Sequence, residues 1–259
     1  MDKFVIKTPR SRQAAEADAE ESRQIKTRRL KTDNNSSNEA QDDSTSDEPN
    51  DSPTQPSSKK LSGINLDCDY IQLFSKKEAD DLYKRCEREL EYNTGRLAQV
   101  QIFGKWHNIP RQQVAHGDEG LTYTFSNNCI PAKPWTPLLM EIRDKISHFT
   151  GHKFNFVLIN RYKDGNDHMG EHQDDEKDLV PTAPIASLSL GQPRDFVFRH
   201  AGSRGKKARQ YVPPVTVELQ HGSLLMMNYP TNVHWYHSLP KRKKAHFPRI
   251  NMTFREMVV

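Results

Sequence analysis

Cysteine is scarce in this chain: 3 in 259 residues, at Cys68, Cys86 and Cys129. So few, so scattered, they exclude a disulfide framework and point to a reducing compartment, cytosol or nucleus. Long apolar runs are missing as well. No stretch of about eighteen apolar residues occurs, and the first residues lack the apolar centre of an export signal, which argues against a membrane span and against secretion. Apolar residues make up only 34% of the chain. The shortage is concentrated from about Ser11 to Lys60, a stretch rich in Ser, Asp, Glu, Asn and Gln. Such a composition cannot offset the entropy of ordering, so residues 1–60 read as a disordered tail. Of 38 Lys+Arg and 34 Asp+Glu, 11 and 12 fall in residues 1–60, leaving 27 and 22 in residues 61–259. The folded part is therefore basic, which permits a polyanionic partner without demanding one.

Two islands interrupt the tail. Lys26-Thr27-Arg28-Arg29-Leu30-Lys31 has the composition of a nuclear address, although short basic runs also serve simply as solvated charge. Lys3-Phe4-Val5-Ile6-Lys7 resembles a short motif that docks onto the replication sliding clamp; the plain alternative is a frayed terminus.

An ordered domain is expected over residues 61–259. Ser75-Lys76-Lys77-Glu78 reads as a capping box, with Ala79, Leu82, Tyr83, Cys86 and Leu90 at helical spacing behind it. A second helix is predicted from Pro137 to Thr150, with Leu138, Leu139, Ile142, Ile146 and Phe149 on one face and Gly151 as its stop. Most of the chain beyond Gly151 alternates like strands, with candidates at 154–162, 185–190, 195–199, 215–219, 223–227 and 249–255. No internal repeat is present. Helices succeeded by many short strands predict an α+β fold: an antiparallel β-sandwich or jelly roll with N-terminal helical support.

His172-Gln173-Asp174 is the first hint of chemistry. Residues two apart on a strand share a face, so His172 and Asp174 can reach one ion. His-x-Asp alone arises easily by chance among 11 histidines. His237 supplies a third ligand, completing the two-histidine, one-carboxylate set that holds Fe(II) and leaves three positions open. In Arg249-Ile250-Asn251-Met252-Thr253-Phe254-Arg255 the polar residues share one face of a strand and the apolar residues the other. Inward arginines are costly unless they meet anions, and an acid with a carboxylate at each end would use both. Asn160 and Tyr162 alternate likewise. A zinc hydrolase could use the same triad, but it gives the paired arginines no task.

Asn160-Arg161-Tyr162, His172-Gln173-Asp174, His237 and Arg249 through Arg255 resemble, in order and spacing, the AlkB family of Fe(II)/2-oxoglutarate dioxygenases over about residues 65–257. The resemblance implies a double-stranded β-helix with a catalytic core at about 152–257. It also implies His172, Asp174 and His237 as iron ligands. Asn160, Tyr162, Arg249, Asn251, Thr253 and Arg255 would then hold 2-oxoglutarate, Arg249 at the distal carboxylate and Arg255 at the metal-bound end, with O₂ as the second co-substrate.

The segment from Gln99 to Asn127 addresses the substrate. Ile102-Phe103-Gly104-Lys105 reads as a hairpin tip that exposes Phe103, and an apolar wedge between base steps offsets part of the unstacking cost. Tyr123 and Phe125 fall on one face of Leu121-Thr122-Tyr123-Thr124-Phe125-Ser126, suited to stacking an extruded base, though aromatics so placed are more often core. The region resembles the nucleotide-recognition lid of the family's duplex-DNA repair member. That likeness makes residues 102–104 an intercalating finger and puts Tyr123, Phe125, His172 and Asp175 around the flipped base, with Thr124 and Ser126 beside them. Arg199, His200, Arg204, Lys206, Lys207 and Arg209 fall in a predicted loop, and Lys241, Arg242, Lys243 and Lys244 come after His237. Either cluster suits DNA phosphates; either is also an ordinary solubilising loop.

The reading that unites these features is a nuclear, monomeric dioxygenase. It would demethylate N-alkylated bases, such as 1-methyladenine and 3-methylcytosine, in double-stranded DNA. Two alternatives stay open at this point: an RNA demethylase of the same family, and a DNA- or clamp-binding module with a vestigial iron site.

Overall fold

The computed structural model describes residues 57–258 except 103, 126–127, 175, 177 and 204–210, with backbone alone at Ile102, Phe125 and Asn128. The motifs at 3–7 and 26–31 lie outside the described residues. Strands β1 (Ser58–Gly63) and β2 (Leu66–Gln72) lead into helix α1 (Lys76–Glu89). Next come a hairpin, β3 (Gln99–Ile102) with β4 (Lys105–Asn108), and then β5 (Gln112–Gly117). A second hairpin, β6 (Thr122–Phe125) with β7 (Asn128–Pro131), precedes helix α2 (Pro137–Thr150). The rest is mainly strand: β8 (Phe156–Tyr162), β9 (Met169–His172), β10 (Ile185–Gly191), β11 (Arg194–His200), β12 (Val215–Leu219) and β13 (Ser223–Met227). A one-turn helix α3 (Thr231–His234), β14 (Trp235–Leu239) and β15 (Arg249–Arg255) complete the described elements.

The strands assemble into a seven-stranded sheet, β1-β2-β13-β10-β15-β8-β5, and a four-stranded sheet, β12-β11-β14-β9, antiparallel throughout. This is the expected jelly roll. Alternation decides which face each side chain takes. On β15, Ile250, Met252 and Phe254 pack with Leu82 and Cys86 of α1 and Leu139, Ile142 and Ile146 of α2, so both helices cover the outer face of the large sheet. On the inner face, Tyr162, Leu225 and Met227 meet Phe196, Phe198, Trp235 and Leu239 of the small sheet.

The helix boundaries obey local rules. Ser75 Oγ accepts from the Glu78 N–H while a Glu78 carboxylate oxygen accepts from the Ser75 N–H, the reciprocal cap predicted for α1. Thr136 caps α2, Pro137 opens it, and Gly151 ends it at φ 74°, a left-handed conformation that glycine adopts without strain. Phe149, counted with the apolar face from its spacing, stands exposed in the last turn.

Several boundaries differ from the sequence reading. Among the described residues regular structure begins at Ser58, upstream of Leu61. β11 runs one residue past each end of the strand predicted at 195–199, so Arg199, grouped with the basic loop as well, and His200 both belong to the strand. β5 and β14 were not anticipated because buried polar residues, Gln113 and His116 on one and His237 and Ser238 on the other, break the apolar alternation. Among the described residues no helix is long and apolar enough to cross a membrane.

Candidate active site

The two sheets leave a cavity of about 250 Å³ between their inner faces. His237 sits in the middle of β14, opposite His172 at the end of β9, with ring centroids 4.3 Å apart. Asp174 was expected on the same strand as His172; the strand instead stops at His172, and a pinned loop positions the carboxylate. The Gln173 side-chain amide donates to the backbone oxygens of Asn232 and Val233, both at 2.8 Å. Asn232 then exchanges two hydrogen bonds with the Asp174 backbone, at 3.0 and 2.7 Å. Helix α3, just ahead of His237, thereby fixes the His172–Asp174 segment.

The Nε2 atoms of His172 and His237 each lie 3.6 Å from the same Asp174 carboxylate oxygen, and the three ligand atoms lie within 4.8 Å of one another. Atoms about 2.1 Å from a common ion stand about 3.0 to 3.5 Å apart, so a small closure completes a first-row metal site. His172 Nδ1 lies 3.0 Å from the Gly170 carbonyl; a carbonyl only accepts, so that nitrogen donates to the backbone and Nε2 is the one turned toward the other two ligands. Burial lowers the pKa of His237, favouring the neutral ligand form. Burial alone would raise that of Asp174, but Arg255 and the two histidines outweigh it and hold the carboxyl well below the usual range. The donor set is thus two imidazoles and one carboxylate.

Beside this set lies a polar floor built by three neighbouring strands. β15 pairs Arg249 with Tyr162 and Asn251 with Asn160 on β8, and Asn251 with Ser189 and Thr253 with Ser187 on β10. Arg255 Nη2 donates to Asp174 at 2.8 Å, and Nη1 stands 3.3 Å from Glu176, which puts Arg255 at the metal end. Arg249 has no such anion among the described residues. It is buried, one terminal nitrogen donates to Ser189 Oγ at 2.9 Å, and its Nε has no partner among the described residues. Burial lowers its pKa to about 10, partly offset by the Tyr162 hydroxyl. A buried guanidinium with an unpartnered Nε suits an anionic ligand.

The sequence matches the family model described as "2OG-Fe(II) oxygenase superfamily" over residues 69–255. The chain belongs to the 2OG-Fe(II) oxygenase superfamily. This oxygenase is 58% identical to the human DNA oxidative demethylase ALKBH2 over 204 residues, 79% of this chain and 78% of the human protein. It is 38% identical to the Arabidopsis thaliana DNA oxidative demethylase ALKBH2 over 60% of this chain and 56% of that one. It is 32% identical to human alpha-ketoglutarate-dependent dioxygenase alkB homolog 3, over 74% of this chain and 66% of the other. As a member of this superfamily it is an enzyme that uses Fe(II), 2-oxoglutarate and O₂, and the His172–Asp174–His237 set fits that ion.

The oxygenase's substrate-side candidates are spread around the mouth. Gly104 takes φ 77° in the tight turn joining β3 to β4, the left-handed conformation a hairpin tip needs; Lys105 beside it is exposed. Tyr123 lines the cavity yet is buried, its ring 6.3 Å from Phe156, so it serves the core and the wall at once. Thr124 lines the same wall and is exposed. Lys243 and Lys244 are exposed, whereas Arg242 pairs with Asp195 and Arg199 pairs with Glu171 at 2.7 Å. Phe103, Ser126, Asp175 and Lys206, and the side chains of Ile102 and Phe125, lie outside the described residues.

Sequence reasoning missed Arg111, Glu176, Ser187 and Phe196, all on the cavity wall. Ser187 and Ser189 carried a readable signal, polar residues at period two in an otherwise apolar strand. Asn232 carried none, because its role exists only once α3 meets the loop after β9.

Proposed function

We propose that this oxygenase oxidatively removes methyl groups from N-alkylated bases, 1-methyladenine and 3-methylcytosine among them, in double-stranded DNA in the nucleus. The observation that carries this reading is the 58% identity to a DNA oxidative demethylase over 204 residues, 79% of this chain. His172, Asp174 and His237 would hold Fe(II). Asn160, Tyr162, Asn251 and Thr253 would line the 2-oxoglutarate pocket, with Arg249 on the distal carboxylate and Arg255 toward the metal-bound end. The unpartnered Nε of Arg249 among the described residues and the pairing of Arg255 with Asp174 support that split.

Bound together, iron, 2-oxoglutarate and O₂ supply an oxidant that hydroxylates an N-methyl carbon, and the hydroxymethyl product collapses to formaldehyde and free amine. The protein's share is placement. Phe196 and Leu239 keep the cavity wall apolar, and Tyr123 and Thr124 define the side by which a base approaches. A weakened base pair lowers the cost of flipping the lesion, and residues 102–104 would fill the gap it leaves. Lys105, Lys243 and Lys244 are free to meet phosphates, while Arg199 and Arg242 would first have to release their carboxylates. In this reading residues 61–259 are the catalytic domain of a monomer, and residues 1–60 are a tail whose Lys3-Phe4-Val5-Ile6-Lys7 docks on the sliding clamp.

Mass spectrometry tests the proposal. A duplex carrying one 1-methyladenine, incubated with the protein, Fe(II), 2-oxoglutarate and ascorbate, should lose the mass of one CH₂. An unchanged duplex mass refutes the reading. Phe103→Ala should slow duplexes selectively; equal losses on duplex and single strands would favour an RNA substrate.

A further inference from the structure

Arg111 occupies a junction. It lies just beyond β4, and its backbone neighbours are held from two sides: the Ile109 N–H donates to Ala98 O at 3.0 Å, ahead of β3, and the His168 N–H donates to Pro110 O at 3.2 Å, ahead of β9. Its side chain lines the cavity, and its Nε donates to Asn160 Oδ1 at 2.7 Å. Asn160 is buried on β8 and faces the co-substrate floor beside Asn251.

A side-chain amide offers two chemically opposite ends, and what surrounds it decides which end faces a ligand. 2-Oxoglutarate presents only acceptors, so Asn160 is useful to it only with its NH₂ toward the cavity. The cross-strand neighbour Gln113 does not settle this: it is buried opposite Asn160, and neither its amide nitrogen nor its amide oxygen has a hydrogen-bond partner among the described residues. A guanidinium only donates, so Arg111 requires the carbonyl end of Asn160 and turns the NH₂ toward the ligand.

We propose that Arg111 is a positioning residue for 2-oxoglutarate: it fixes the orientation of the Asn160 amide and acts on the co-substrate through it. The proposal rests on the co-substrate reading above. A positive charge at the cavity wall would also attract a dianion directly, and the two effects separate in a double-mutant cycle. Acting through Asn160, Arg111 loses its effect once Asn160 is gone; acting through space, it keeps it.

The measurement is an anaerobic titration of the Fe(II)-loaded full chain with 2-oxoglutarate in the absence of DNA, monitored by the visible charge-transfer band of the metal-bound keto acid. Arg111→Met, which keeps the aliphatic stem, should weaken binding by about three- to tenfold, the worth of one well-placed hydrogen bond. Arg111→Lys, which still donates, should recover most of that loss. Asn160→Ala should weaken binding too, and adding Arg111→Met to it should change nothing further. An unchanged affinity in Arg111→Met, or the same factor in both backgrounds, overturns the proposal. Absence of the band in the unsubstituted protein instead overturns the co-substrate reading, and this inference with it. Should Arg111→Met fail to fold by circular dichroism, the comparison of Arg111→Lys with Arg111→Gln on the two backgrounds decides in the same way.

Discussion

Arg249 shows how a single residue exposes a missing ligand. Its guanidinium is buried, has only the hydroxyls of Ser189 and Tyr162 beside it among the described residues, and has a pKa lowered to about 10 by desolvation. Arg249→Met removes that burden, so without co-substrate its thermal midpoint should rise by about 2 to 4 °C, the equivalent of about 1 kcal/mol. The same variant should lose the extra stability that the parent protein gains from 2-oxoglutarate, about 2.7 kcal/mol at a hundredfold excess over Kd. A midpoint that falls in the absence of co-substrate would show that Arg249 is a structural prop. His116 gives a pH dependence. It is buried, its Nδ1 lies 2.7 Å from the Pro134 carbonyl, and burial lowers its pKa from the ordinary value of 6.5. As the pH falls below that value the unfolded chain takes up a proton that the folded one resists, so stability held at neutral pH is lost. Urea midpoints should drop between about pH 7.5 and about pH 5.5, and His116→Gln should flatten part of that fall; His237, shifted in the same sense, accounts for a further part.

At the scale of elements, the strand from Arg249 to Arg255 was fully legible in the sequence. Its two faces have opposite tasks, and period-two alternation writes both of them plainly. The capping box of α1 and the Pro-to-Gly span of α2 were equally readable, since the signals are local. The position of Asp174 was not, because a loop and a distant asparagine set it. Nor was the support of the basic loop. Gly165 exchanges hydrogen bonds with Arg242 and Ala245, and a Cβ at Gly165 would stand 1.7 Å from the Arg242 carbonyl oxygen. The buried guanidinium of Arg194 ties the same loops together, donating to Asp164 O, Asp167 O and Pro240 O. Gly165→Ala must therefore displace the loop that presents Lys243 and Lys244. Its duplex affinity should fall severalfold while its anaerobic 2-oxoglutarate titration stays unchanged; equal effects on both would mean that the loop is wired to the cavity floor.

At the scale of the whole molecule, charge and depth govern the traffic. The excess of basic residues in the folded part predicts that duplex affinity falls steeply with salt. The slope of log K against log salt should decrease by about one for each of Lys243→Ala and Lys244→Ala, if each neutralises one phosphate. An unaltered slope would remove those lysines from the interface. Depth sets a sequence in time. Arg249 and His237 lie at the buried end, while the His172 side chain retains 35% of its exposure and marks the mouth. With a co-substrate at the deep end and a substrate at the exposed end, filling would run from the bottom and emptying from the top. On the proposed reading the keto acid would enter first, a base at the mouth would cover it, and succinate would leave after the repaired base. Turnover would then be a queue, its pace at saturating co-substrate set by release of the repaired base.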